Sequence, residues 1–469
     1  MFEKKYDLIV IGSGAGMNVA ARARGKDYKV ALVEHGTMGG TCLNRGCIPS
    51  KIMIYPADVV REIEHAKKLG VNASVNDLDF KLVRKRMMEL VLGDRHSMEK
   101  GVAEDEGLDY YHETGEFVGN HILKVGEKKI TAPKIMIACG VRTRIPNING
   151  LDKTGYHSSE TIFDIEDVPK SLIILGGGYK ACEFAHFFST FGTKVIIVGH
   201  NRKLLPREEP EVSELVKNTL GHYMDVFVNR DSAEVWSKDG VKVVVHEDRD
   251  TGDSIESRAE EILITTGVIS NAPLLHPEKT GVKVDDKGYV IVNENLETSQ
   301  PGIWAFGDVL GRTMYRHTAN YQSDVAWINA FGEMNVKLDE HAVPHAVFTY
   351  PQVAGVGMTL AEAMESGRPL LVGYSSYDST AKGYAMADED SFVKVILDGN
   401  TLEILGATVA GPHAAILVQP IVYLMNCGDR TYRPLAASQI IHPALSEVVA
   451  AAFGNLHDPR HHHDHEHQH

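Results

Sequence analysis

Two cysteines five residues apart carry the most chemistry in this chain. They lie in Gly39-Gly-Thr41-Cys42-Leu-Asn-Arg-Gly-Cys47-Ile-Pro-Ser-Lys51. On a distorted helical turn such a pair comes close enough to bridge, and so can cycle between dithiol and disulfide. A C-x4-C pair is also the shape of half a zinc site, but the chain holds no matching second pair. Lys51 places a positive charge where it can help hold a thiolate. Cys139, Cys182 and Cys427 are scattered singly and read as small apolar packing residues. Far along the chain, His442-Pro443-Ala-Leu-Ser-Glu447 sets an imidazole five residues before a carboxylate. A carboxylate that holds one ring nitrogen leaves the other free to shuttle a proton. Thiol exchange needs that base, although a His-Pro helix start taken alone is also an ordinary structural feature.

Two glycine turns must position these groups. Leu8-Ile-Val-Ile11 leads into Gly12, Gly14 and Gly16, and Leu172-Ile-Ile-Leu175 leads into Gly176, Gly178 and Ala181. Each turn is followed by a helical pattern and a second apolar run, Val30–Val33 and Val195–Val198. Strand, glycine turn, helix, strand is a βαβ unit whose helix N-terminus binds pyrophosphate. In the first unit the sixth motif position is Met17, a departure, while Glu34 can accept both ribose hydroxyls. If that dinucleotide is FAD, the cysteines fall beside its isoalloxazine, with Lys51 supplying charge near the reduced ring. In the second unit no carboxylate follows Val198; the loop runs Gly199-His200-Asn-Arg202-Lys203. His200, Arg202 and Lys203 could pair with a 2′-phosphate, which leans the reading to NADPH. A solvated basic loop with relaxed choice between NADPH and NADH stays open.

The 469 residues give a prior of about three domains, and 43% apolar with 24% charged residues is ordinary globular composition. A formal charge of −15 makes nucleic acid an unfavourable partner. Five cysteines are too few for a secreted disulfide scaffold. No targeting segment is visible, so a cytoplasmic protein is expected. Residues 404–425 carry no formal charge, but Gly411-Pro412-His413 breaks the run. It reads as strand, turn and buried helix, not a membrane span. Strands near residues 259–267 close the second nucleotide unit, residues 302–331 return to the first, and alternating strands with a helix from Glu447 form a third region.

These residues resemble the flavoprotein disulfide reductases, the pyridine nucleotide-disulfide oxidoreductase family that includes dihydrolipoamide dehydrogenase, glutathione reductase and mycothione reductase. The resemblance runs from Tyr6 to Phe453 and rests on GGTCLNRGCIPSK, IWAFGD and IHPALSE in that order. It implies an α/β fold with two Rossmann-like domains and a C-terminal α+β dimerisation domain. The expected bounds are 1–150 and 271–338 for FAD, 151–270 for NAD(P)H, 339–456 for dimerisation and 457–469 for a tail. By resemblance Cys47 is the flavin-facing sulfur and Cys42 the interchange sulfur. Lys51 would pair with Glu183, Tyr179 would cover the nicotinamide pocket, and Asp308 would bind the ribityl chain. Thr41 and Gly140 join the cofactor-binding set. His442 and Glu447 would serve the partner subunit's cysteines, which implies a homodimer.

Arg316-His-Thr-Ala-Asn320-Tyr-Gln, Ile441–Val449 and the Gly-Ala-Gly-Met-Asn18 turn look most like mycothione reductases. Ala138-Cys-Gly140, Thr265-Thr-Gly267 and Val268-Ile-Ser270 depart from the usual family pattern around the pyridine nucleotide. Cys427 stands alone where mercuric reductases use an extra cysteine pair. The tail is His-rich where large thioredoxin reductases carry a redox-active end, and Cys42 is present where soluble transhydrogenases lack it. The expectation is therefore an NADPH-dependent reductase of small disulfides, with dihydrolipoamide dehydrogenase as runner-up and a flavin redox sensor as the rival from another class. No metal site is assigned. The tail His461–His469 could chelate nickel, zinc or copper, or be an appended end.

Overall fold

A computed structural model describes residues 4–461. The two short apolar runs form the centres of two five-stranded parallel sheets. In the first the order is Ile303–Ala305, Lys134–Ile137, Leu8–Ile11, Val30–Val33 and Leu108–Tyr111. In the second it is His157–Ser158, Glu261–Ile264, Ser171–Leu175, Lys194–Val198 and Asp225–Phe227. All neighbouring pairs in both are parallel. Every residue of Leu8–Ile11 and of Val30–Val33 is buried, as parallel strands covered on both faces demand. Strand Ile303–Ala305 brings the chain back to the first sheet after the second is complete, and helix Arg316–Phe331 then packs on helix Gly16–Arg24. A two-stranded antiparallel ribbon, Val141–Thr143 with Val268–Ser270, carries the chain out and back between the two sheets.

A third, antiparallel sheet is built from Pro344–Val347, Val353–Gly357, Ile404–Ala410, Phe392–Asp398, Leu370–Ser376 and Leu456–His457. Helix Ser446–Gly454 packs against it. The uncharged run after Ile404 is a strand, then Gly411 at φ 144°, then helices Ala414–Leu417 and Gln419–Met425. Only glycine takes that dihedral without strain, so Gly411 ends the strand. No helix among the described residues is long and apolar enough to cross a membrane. Residues 462–469 of the histidine-rich tail lie outside the described residues. Among the described residues no group of three or more His, Cys, Asp or Glu is placed to hold a metal ion.

Both glycine turns are tighter than their motif alone conveys. Gly12 has φ 107°, and a Cβ there would meet Ala138 O at 2.2 Å. Gly176 has φ 130°, and a Cβ would meet Thr265 Oγ1 at 2.4 Å. In the first turn it is Gly16, one place before Met17, that lets helix meet strand: its Cβ would lie 2.8 Å from Val10 Cγ1. The close contact has moved one residue along, which is why Met17 is tolerated. Gly12→Ala combines a clash with a left-handed dihedral and should cost about 1–3 kcal/mol. Thermal melting of the variant, together with its flavin-to-protein absorbance ratio, checks this; both should fall.

Candidate active site

The cysteine segment is two helices with a break between them. Cys42 lies in Gly40–Arg45 and Cys47 opens Cys47–His65. Gly46 makes the break at φ −141°, ψ −116°. A Cβ there would lie 2.9 Å from Thr41 O and 3.3 Å from Cys42 Cα, so only glycine lets the second helix start this close. The two thiols are hydrogen-bonded to each other. That bond pushes the Cys47 thiol down to about 7; burial opposes the shift and the Lys51 ammonium assists it. The same bond and burial push Cys42 far up. Cys47 is therefore the sulfur of the pair that ionises first, with Cys42 as the donor. Alkylation at Cys47 should rise about tenfold per pH unit below about 7 and level off above it, because the thiolate is the nucleophile. Iodoacetamide rates followed by mass spectrometry check this.

Lys51 stands one helical turn after Cys47. Its Nζ donates to both oxygens of Glu183, at 2.9 and 2.8 Å. Glu183 comes from helix Tyr179–Thr190 behind the second glycine turn and is 5% exposed. Its Oε1 also accepts the Phe348 N–H at 2.9 Å, and the Phe348 ring lies 4.6 Å from the Lys51 ammonium. Three separate parts of the fold thus fix one lysine beside one thiolate. Phe348 is a residue that sequence reading missed, and a backbone N–H leaves no trace in side-chain spacing.

The first glycine turn presents a cradle for a dinucleotide. Glu34 accepts from Ser13 N and Oγ at 2.9 Å each and from Gly36 N at 2.8 Å. A cleft lined by Gly12, Glu34, Glu113, Gly115 and Cys139 runs beside it. Gly40 approaches Gly14 so closely that a Cβ would lie 2.8 Å from its Cα, which brings the Cys42 helix onto the phosphate turn. Thr41 follows directly in that helix. Gly140 takes φ 63° at the end of strand Lys134–Ile137, and its carbonyl accepts from Asn271 N. Asp308 lies on a 3-10 turn, and burial pushes its carboxyl up. Among the described residues nothing donates to its side chain. A half-buried acceptor without a donor fits a hydroxyl-bearing ligand, such as a ribityl chain. These residues fit FAD.

At the second turn Gly178 precedes helix Tyr179–Thr190, and Tyr179 stands 47% exposed at its first position. The loop after Lys194–Val198 differs from a bare basic patch. His200 Nδ1 is 2.6 Å from Asp231, Arg202 makes two 2.7 Å bonds to Asp250, and Lys203 donates to Glu208 O. The sequence shows the cations; the carboxylates that meet His200 and Arg202 come from the neighbouring three-stranded meander.

At the far end of the chain His442 Nδ1 lies 2.8 Å from Glu447 Oε1. Glu447 is in the first turn of its helix and also accepts from Ala444 N at 3.0 Å. The His442 bond holds its carboxyl below the usual range, with the Ala444 bond assisting. The imidazole is 72% exposed. Among the described residues no hydrogen bond or ion pair joins this dyad to Cys42 or Cys47 of its own chain.

The pyridine nucleotide-disulphide oxidoreductase family model matches residues 6–323, and the model of that family's dimerisation domain matches residues 343–453. Mycothione reductase of Mycobacterium tuberculosis is 32% identical over 96% of this chain and 99% of its own. Dihydrolipoyl dehydrogenase of Chlamydia pneumoniae is 31% identical over 95% and 96%. Among solved structures, the Cu(II) complex of the HOCl-induced flavoprotein disulfide reductase RclA from Escherichia coli superposes with a TM-score of 0.85. It is 28% identical, over 96% of this chain and 99% of that one.

Proposed function

The chain belongs to the pyridine nucleotide-disulphide oxidoreductase family, FAD-dependent enzymes with a pyridine nucleotide as electron donor, and on that premise we propose that it is an NADPH-dependent reductase of a low-molecular-weight disulfide. The observation that carries this is the Cys42–Cys47 contact, which lowers the Cys47 thiol with assistance from the Lys51 ammonium. A bound FAD would supply a two-electron relay between the nicotinamide and the cysteine disulfide. Gly12, Gly14, Gly16, Glu34, Thr41, Gly140 and Asp308 would hold it. Gly176, Gly178 and Tyr179 would receive the nicotinamide dinucleotide, with His200 and Arg202 at its 2′-phosphate.

The reduced pair keeps its proton on Cys42, so Cys42 needs a base before it can attack. His442 of the partner subunit would take that proton, with Glu447 of the partner subunit fixing the ring by its Nδ1. Cys42 Sγ then attacks one sulfur of the substrate. The substrate S–S bond breaks, a mixed disulfide forms, and the departing thiolate regains the proton from the imidazolium. Cys47 Sγ next attacks Cys42 Sγ, which closes the protein disulfide and releases the second half of the substrate as a thiolate that takes its proton from water. A second subunit enters the reading because, among the described residues, no hydrogen bond or ion pair joins the dyad to the cysteines of its own chain. Ile416, Tyr423 and Ile441, 67, 61 and 77% exposed, give the third sheet's lobe an apolar surface for it.

Dihydrolipoamide dehydrogenase chemistry is the second reading. It is favoured by the aspartates that already occupy His200 and Arg202 and so weaken the case for a 2′-phosphate. Specificity constants for NADPH and NADH against lipoamide and mycothiol-, glutathione- and coenzyme A-type disulfides separate the two. A preference for NADPH with a thiol disulfide supports the proposal. Turnover confined to NADH and lipoamide replaces it with the second reading, and no turnover at all leaves a redox sensor.

A further inference from the structure

The second dinucleotide unit has no acid at the end of its second strand, where the first unit has Glu34. A carboxylate at that place accepts the ribose hydroxyls and repels a 2′-phosphate. The fold brings a carboxylate to the same loop from another part of the chain. Residues 199–205 lie directly on the second glycine turn. Leu205 N donates to Gly177 O at 2.8 Å, and a Cβ on Gly177 would lie 3.6 Å from Gly199 Cα. A dinucleotide seated on that turn therefore meets this loop.

On its other side the loop is stitched to the three-stranded meander. Asn229 N donates to Asn201 O at 2.7 Å, and Arg230 N to Gly199 O at 2.9 Å. The turn between strands Val241–Asp248 and Ser254–Ala259 then carries Asp250 across to Arg202. Backbone bonds hold that turn in place. Gly252 N donates to Asp248 O at 2.8 Å and Arg249 N to Asn229 O at 3.0 Å, while Asp250 N and Thr251 N donate to Asp248 Oδ1 at 2.9 and 3.1 Å. Nη1 and Nη2 of Arg202 each donate to one oxygen of Asp250 at 2.7 Å. This is the fork that a guanidinium also offers a phosphate. Beside it His200 Nδ1 lies 2.6 Å from Asp231. Arg202 and Asp250 are both exposed, and an exposed pair is weak enough to be exchanged for a stronger anion.

We propose that Asp250 is a specificity-determining residue for the pyridine nucleotide: it competes with a 2′-phosphate for the Arg202 guanidinium and so narrows the advantage of NADPH over NADH. The inference rests on the reading of this loop as the 2′-phosphate site. NADPH binds by exchanging the Asp250 carboxylate for its own phosphate, which brings nearly two negative charges. The displaced carboxylate, tied to its turn, stays close enough to repel that phosphate. NADH carries no 2′-phosphate and leaves the pair intact.

The test uses holoenzyme carrying Asp250→Asn or Asp250→Ala, with Arg202→Gln as the control for the loop itself. Two ratios are measured. One is the specificity constant for NADPH over that for NADH. The other, by calorimetry and without turnover, is the affinity for adenosine 2′,5′-bisphosphate over that for adenosine 5′-monophosphate. Both Asp250 variants should raise both ratios about tenfold, the scale of removing one unit charge beside a nearly doubly charged phosphate in water. Arg202→Gln should lower both. Ratios at or below wild type in the Asp250 variants, with Arg202→Gln lowered, overturn the role of Asp250 alone. Ratios unmoved by every variant overturn the reading of the loop as a 2′-phosphate site and this inference with it. A wild type confined to NADH, with bisphosphate binding gained on Asp250→Asn, replaces the NADPH reading and supports the inference.

Discussion

Replacing Cys42 by serine is expected to lower disulfide turnover by roughly four to six orders of magnitude, the scale lost when a covalent nucleophile is removed. Reduction of the bound flavin by NADPH should survive, because a hydride transfer from nicotinamide to flavin uses neither thiol. The argument turns on where the proton sits. The bond between the thiols leaves the charge on Cys47 and the proton on Cys42, so Cys42 is the sulfur that can be unmasked toward a substrate. The other cysteines offer no substitute. Burial pushes the Cys139 thiol up to about 12 and the Cys182 thiol higher still, and Cys427 lies on a different lobe. Stopped-flow traces of flavin bleaching beside steady-state disulfide assays separate the two halves. Full disulfide turnover by the serine variant would move the chemistry away from this pair.

The second large effect concerns the dyad. His442→Gln should cost about 10²- to 10⁴-fold in disulfide turnover, the usual worth of a positioned acid–base group. Its location makes a sharper prediction. In the proposed arrangement each site takes its cysteines from one protomer and its imidazole from the other, so two dead variants should rescue one another. In mixtures of Cys42→Ser and His442→Gln protomers, a mixed dimer holds one intact site and one doubly broken site. Random reassortment makes half the dimers mixed, so about a quarter of wild-type activity should return. Coexpression with two affinity tags checks this: the doubly purified fraction, in which every dimer is mixed and holds one intact site of two, should show about half of wild-type activity. No recovery would place the dyad and the cysteines in one chain's own site.

Much of this was legible before any coordinates, and the reasons are local. A short apolar run ending in glycine is a parallel strand feeding a helix, so Leu8–Ile11 and Leu172–Leu175 announce themselves. Gly411 splits residues 404–425 because no other residue accepts its dihedral. The cysteines and Lys51 fall within one continuous segment, and His442 and Glu447 within another. What the sequence hid depends on long-range pairing. Lys51 and Glu183 lie far apart in the chain; family resemblance joined them, and spacing could not. The Phe348 N–H has no side-chain signature. Asp231 and Asp250, which occupy His200 and Arg202, come from the three-stranded meander, so the loop looked more open to a phosphate than it is.

The central claim is that two named sulfurs open and close as electrons pass through the protein. It is tested most directly by anaerobic titration of the oxidised holoenzyme with NADPH or NADH, quenched with an isotopically labelled alkylating agent and mapped by mass spectrometry. The account predicts that one equivalent of donor exposes two thiols and that the label falls on Cys42 and Cys47. Label found on other cysteines, or flavin reduction with no new thiol, would contradict it.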